Sequence, residues 1–185
     1  MKKSGLIRMD EVGRIVLPKE IRKVLKLDKE RLVELYIEKD KLIIKKYSPV
    51  QNHIVRAKKI CETLAKQNNC ICVICDTAKI VCVSGEALTN IVGKKISPEV
   101  YSMVQGGAPV LINTIEGATP KSIVDGLEIE YCSLAAIPIE QEECPIGLIA
   151  LVGTDKEVSF SDCDVRLLKL AKDLIEASCI TESEE

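Results

Sequence analysis

The chain has 185 residues, and its 26 basic and 28 acidic side chains leave a formal net charge of −2. Apolar residues make up 46% of it, which excludes wholesale disorder. No uncharged apolar run approaches the ~18 residues that a bilayer-spanning helix needs. The charge is unevenly divided: residues 1–50 carry +6 and residues 51–185 carry −8, as expected of two modules with different partners.

A first module of about 50 residues is too small to bury a sufficient core by itself and is expected to need a partner chain. The N-terminal stretch reaches Arg8 and Asp10 before an apolar core of signal-peptide length develops, so a cytoplasmic location is expected. Nine cysteines, an odd number, fit reduced thiols better than a disulfide framework. Five aromatic residues (Tyr36, Tyr47, Tyr101, Tyr131 and Phe160) and no Trp argue against a surface that stacks unpaired bases, so a nucleic-acid partner would be duplex.

Residues 5–9 and 14–17 read as short strands around Asp10-Glu11-Val12-Gly13, whose glycine suits a turn. Pro18 then opens a two-turn helix in which Ile21, Val24 and Leu25 recur at helical spacing. Val33, Leu35 and Ile37 alternate with polar neighbours, Lys39-Asp40 turns the chain, and Leu42, Ile43 and Ile44 resume as a strand, giving the order ββαββ. Two such units sharing strands would cover each other's apolar stripes. Eight cations (Lys2, Lys3, Arg8, Arg14, Lys19, Arg22, Lys23 and Lys26) lie in the first strands, turn and helix against only Asp10, Glu11 and Glu20. A solvated helix face would look the same, so composition alone does not assign DNA binding.

The stretch from Ser4 to Pro49, with VGRIVLPKEIRKVL its most telling part, resembles the AbrB-type swapped-hairpin DNA-binding domain of bacterial transition-state regulators. The resemblance implies an intertwined dimer that faces DNA with Arg14, after the turn glycine, and with Arg22 and Lys23 in the helix. Lys19 and Arg8 join this candidate set. The segment from Gly5 to Arg14 is one residue shorter than the usual pattern, which leaves open the face to which Arg8 points. Cationic side chains neutralise phosphates and release counterions, and arginine also reads guanine edges. A helix this short makes loose sequence rules the expectation. Addiction-module antitoxins use the same domain, so a toxin-binding protein is the alternative.

Residues 51–69 read as a connector helix with Ile54, Ala57, Cys61 and Leu64 on one face. Strand-like runs follow at 70–76 and 79–85, then a helical or irregular crossing through 86–104, a strand in GGAPVLIN, and a hairpin from 133–140 and 144–153. Ser161 caps a last helix, with Asp164 placed as in a capping box and Leu167, Leu168, Ala171, Leu174 and Ile175 as its buried stripe.

This order over residues 70–182 resembles a GAF domain, a ligand-sensing or oligomerising antiparallel-sheet fold. The fold class is therefore α+β, a swapped-hairpin domain over 1–50 followed by the connector and a GAF-like domain with flanking helices. The combination resembles sporulation transcription regulators of spore-forming bacteria. It implies double-stranded DNA as partner, a homodimer through residues 1–50, and a homotetramer through the GAF-like domain and the helices at 50–68 and 161–180.

A GAF pocket lies between sheet and crossing segment, here expected near Ser84, Gly85, residues 86–120 and Ser133, with an unidentified small-molecule effector as possible occupant. No phosphate loop, zinc motif or other cofactor signature is present. Cys70, Cys72 and Cys75 form CxC overlapping CxxC, but strand alternation puts Cys75 on the face opposite Cys70 and Cys72. No second ligand pair follows, so no metal site is expected and the cysteines read as buried hydrophobes. Some GAF-fold proteins reduce free methionine sulfoxide with a pocket cysteine. That chemistry needs an activated thiolate, and His53, the only histidine, reads as an exposed connector residue. No catalysis is expected.

Overall fold

The computed structural model describes residues 7–25, 27, 33–46, 48–85, 89–113, 122–127 and 131–180. The chain divides into two compact units, Met1–Tyr47 and Ser48–Glu185.

In the first unit Gly13, at φ +82°, closes a tight turn in which its N–H donates to Asp10 O and the Asp10 N–H donates to Arg14 O. The expected strands at 5–9 and 14–17 are not seen as a ladder: residues 7–10 and 14–18 carry no strand pairing in the single chain. Ile7, Ile15 and Val16 are exposed, so the packing that would hold a ladder is missing in one copy. Residues 1–6 lie outside the described set. Helix α1 (Lys19–Leu25) starts just after Pro18, and β1 (Val33–Glu38) pairs antiparallel with β2 (Lys41–Lys46) through the Lys39-Asp40 turn. Leu35, Ile37 and Leu42 of this hairpin are also exposed.

The second unit begins with a short helix α2 (Pro49–Asn52), then α3 (Ile54–Asn68). Its five strands are β3 (Ile71–Asp76), β4 (Ile80–Ser84), β5 (Val110–Asn113), β6 (Ser133–Gln141) and β7 (Cys144–Gly153). They form one antiparallel sheet in the order β4-β3-β7-β6-β5. The crossing between β4 and β5 carries a 3-10 turn (Thr89–Ile91) and α4 (Pro98–Gly106), capped where the Val100 N–H donates to Ser97 Oγ at 3.2 Å. The last helix, α5 (Asp162–Ile180), opens on the expected capping box: the Ser161 N–H donates to Asp164 Oδ2 at 2.7 Å and the Cys163 N–H to Ser161 Oγ at 3.3 Å.

Strand alternation sorts the interior into two layers. Cys72, Ile74, Ala135, Ile137, Ile149 and Leu151 face α3 and α5 and pack with Ala57, Cys61, Leu64, Leu168, Ala171 and Ile175. Val73, Cys75, Leu134, Leu148, Ala150 and Val152 face α4 and pack with Val100, Val104, Ile123 and Tyr131. Asp76 ends β3 with a buried carboxylate that accepts from the Ala78 and Lys79 N–H groups at 2.6 and 2.8 Å and from Ser48 Oγ at 2.9 Å. One stripe differs from expectation. In α5 the sheet buries Leu168, Ala171, Ile175 and Cys179, whereas Leu174 stays exposed and Leu167 is half-buried. The apolar surface of α5 is wider than one core face, and the sheet takes only part of it.

Ile149 is fully buried in the central strand, so Ile149→Ala should cost about 2–5 kcal/mol. Val92→Ala, at an exposed site, should stay within about 0.5 kcal/mol in the same denaturant titration.

Candidate nucleic-acid interface and sheet pocket

The turn before α1 is organised by one carboxylate. Asp10 Oδ1 accepts from the Val12 N–H at 3.0 Å and from the Arg14 N–H at 2.7 Å, while Oδ2 accepts from Arg14 Nε at 2.8 Å. Asp and Asn favour such turns because their short side chain reaches the backbone two residues on. The hydrogen bonds from Arg14 backbone and side chain hold the Asp10 carboxyl below its usual range. The Arg14 side chain is 75% exposed, so the pairing fixes the guanidinium's root without withdrawing it from solvent. Lys19, Arg22 and Lys23 are all exposed on α1, at the i, i+3, i+4 spacing that sets side chains on one helical face. Arg8 is exposed in the segment leading into the turn. The described members of the cationic set are thus solvent-facing side chains on a turn and a short helix, suited to phosphate contact.

In the second unit the candidate pocket residues fall in a different place from the cavity they were expected to line. Ser84 pairs with Cys72 and Ser133 with Gly153, which puts both on the sheet face toward α3 and α5. Ser84 and Gly85 line an open groove of about 480 Å³ with Glu62, Lys66, Asn69, Cys70 and Thr154. Gly85 has a structural role: its φ is +120°, and a Cβ there would lie 3.1 Å from Ile71 Cα. Ser133 is buried, and its hydroxyl donates to Val158 O at 2.7 Å.

The cavity between sheet and crossing segment is lined instead by residues including Val73, Cys75, Val100, Met103, Tyr131 and Leu134. Its free space is about 10 Å³, at or below what one water molecule needs. The odd-numbered positions of β3 were the available signal, because they must face away from Cys72. Residues 86–88 and 114–121 of the expected pocket region lie outside the described set.

The cysteines behave as apolar core. Cys72 and Cys75 do occupy opposite faces, as alternation requires. Cys61 donates its thiol to Cys72 O at 3.1 Å, and burial is the main cause that pushes the Cys75 thiol up. Burial also pushes half-buried Cys70 up to about 11. Raised values disfavour the thiolate that nucleophilic chemistry uses. Among the described residues no group of three or more His, Cys, Asp and Glu side chains could hold a metal ion. None of the described helices is long and apolar enough to cross a membrane.

Two measurements bear on these sites. Asp10→Ala should abolish hydrogen-exchange protection of the Val12 and Arg14 amides, which donate to that carboxylate at the turn. Alkylation of the native protein, read by mass spectrometry, should label exposed Cys163 first and spare Cys61, Cys72, Cys75 and Cys82 until unfolding.

Comparison with known proteins agrees with both units. Residues 10–52 match the model described as antidote-toxin recognition MazE, bacterial antitoxin. The chain is similar to stage V sporulation protein T of Bacillus subtilis, 28% identical over 84% of this chain and 87% of that one. It is also similar to the transition state regulatory protein AbrB of the same organism, 42% identical over 26% of this chain and 52% of that one. Among solved structures, the GAF-B domain of DevS from Mycobacterium smegmatis superposes with a TM-score of 0.55 at 11% identity, over 72% of this chain and 95% of that one. The type II free methionine-R-sulfoxide reductase of Thermoplasma acidophilum gives 0.54 at 16% identity, over 70% and 94%. At such identities the two structures establish the GAF fold alone. Residues 55–176, the larger part of the chain, match the model described as stage V sporulation protein T C-terminal, transcription factor, and the protein belongs to that family.

Proposed function

We propose that this transcription regulator binds duplex DNA through its first unit, with loose sequence rules, and acts on sporulation genes in the cytoplasm. The observation that carries the reading is the exposed cationic set: Arg14 rooted on the Asp10 turn, with Lys19, Arg22 and Lys23 on α1. Its position in an AbrB-like stretch supports DNA as the partner. The exposed apolar residues Ile7, Ile15, Val16, Leu35 and Ile37 support an intertwined homodimer through residues 1–50, in which a second copy covers them and doubles the cationic set.

Sequence recognition through phosphates and duplex deformability suits a seven-residue helix better than a full reading head does. In the second unit, a cavity of about 10 Å³ favours assembly over a resident effector, because a small molecule would first have to open the α4 layer.

An antitoxin role has one observation in its favour, the match of residues 10–52 to an antitoxin model, but the chain continues into a folded second unit. The reductase reading is disfavoured by its chemistry. Cys75 is the thiol that lines the cavity among the described residues, and it is buried with its ionisation suppressed. No catalysis is proposed.

DNA affinity measured against salt tests the reading. The wild type should show a steep negative slope of log affinity on log salt. Each phosphate left without its cation, as in Arg14→Ala and Arg22→Ala, should reduce that slope by ~1. Salt-independent binding, or a double variant equal to the wild type, would overturn it.

A further inference from the structure

Helix α5 carries two apolar faces, and the sheet covers one. On the other, Cys163, Leu167, Leu170, Leu174 and Ala177 recur at spacings of four, three, four and three, the alternation of a coiled-coil seam. Leu170 is 59% exposed and Leu174 51%. A helix on a protein surface needs one apolar stripe, and a second at strict 3-4 spacing is the signature of a helix partner. The flanks of the seam differ. Ala171 and Ser178, one residue after Leu170 and Ala177, are small and buried against the sheet side. Arg166 and Asp173, one residue before Leu167 and Leu174, are exposed on the opposite flank.

These two charges select the partner and its direction. They stand seven residues apart, roughly 10 Å along the axis, and are opposite in sign. We propose that α5 docks against α5 of a second copy, antiparallel, about a two-fold axis at Leu170. In that arrangement a residue n positions before Leu170 lies level with the partner's residue n positions after it. Leu170 then meets its own counterpart, Leu167 meets Leu174, and Cys163 meets Ala177. Arg166 comes beside the partner's Asp173, and the two-fold axis makes that pair twice.

A parallel pair would instead bring each charge level with its own like charge, and opposed helix dipoles also favour the antiparallel form. The seam runs at Leu174 into an open groove of about 790 Å³ between α3 and α5, lined there by Val55 and Ile60, which gives the end of the partner helix an apolar seat. The inference rests on the reading that the second unit assembles copies of the chain. It adds the element, the register and the direction.

The test is the mass of the full chain in solution, by light scattering at micromolar concentration. With the first units paired, the wild type should be a tetramer, and Arg166→Asp or Asp173→Arg alone should halve the mass. The double change Arg166→Asp with Asp173→Arg should restore it, which no loss of fold could mimic. Single variants that keep the wild-type mass, or a double variant that fails to recover it, would overturn the proposal.

A wild-type dimer that the single changes turn into monomers would keep the α5 pairing and remove the first-unit dimer. The salt slope of DNA binding reports on the first unit independently. Direction is read with a short bismaleimide: Ala177→Cys should cross-link to Cys163 of another chain. Cross-links from Cys163 to Cys163 in the wild type would signal a parallel pair and refute the two-fold register.

Discussion

The second unit depends on a strand that is buried on both sides. From Ile146 to Gly153 every residue of β7 is buried, because α3 and α5 cover one face and the α4 layer the other. A sheet wet on one face alternates polar and apolar residues, whereas CPIGLIALVG is an almost unbroken apolar run. The chain must therefore supply two separate covers, and the elements outside the sheet can be understood as meeting that demand. The connector helix presents a stripe of small residues, Ala57, Cys61 and Ala65, with Leu64, which allows close approach to the sheet. On the other face, α4 is held by the Ser97 cap, and Ile96 and Val124 form a bridge beside it.

The first unit follows the opposite logic. It has a hairpin, a two-turn helix and a carboxylate-organised turn, yet many of its large apolar side chains are exposed. Too few residues are present to bury them within one chain, so self-association and function are physically linked there. The turn is the exception to this incompleteness. Asp10, Gly13 and Arg14 satisfy one another locally, so the cation following the glycine has a defined root even before any partner is added. Preorganised roots with exposed charged heads suit phosphate contact, since little side-chain order remains to be gained on binding.

How legible each part was follows from the range of the interactions that decide it. Alternation and helical spacing located β3 to β7, α3 and α5, because a two-sided apolar run or a capping box is written within a dozen residues. The strands flanking the first turn were legible as pattern but not as a ladder, because a ladder needs a second strand and Ile7, Ile15 and Val16 find none within one chain. The pocket was misplaced for a similar reason. Ser84 and Ser133 look like polar residues at strand ends near a crossing, but pairing through Cys72 and Gly153 sends both to the face away from α4. The stripe of α5 was read as one surface, and only the position of the sheet divides it into a buried half and the exposed Leu170 and Leu174 half.

By itself the sequence determined the charge division between the modules, the identity and order of most elements, the Asp10-to-Arg14 turn and its cations, and the opposite facing of Cys72 and Cys75. All of these are set by neighbours close in the chain, through spacing, capping and turn chemistry. Tertiary structure decided which face of the sheet each helix covers, that the α4 cavity closes to about 10 Å³, that Ser133 spends its hydroxyl on Val158 O, and that a leucine seam is left over on α5. Those depend on strand register and on how much surface each layer can cover, quantities settled by residues far apart in sequence packing against one another.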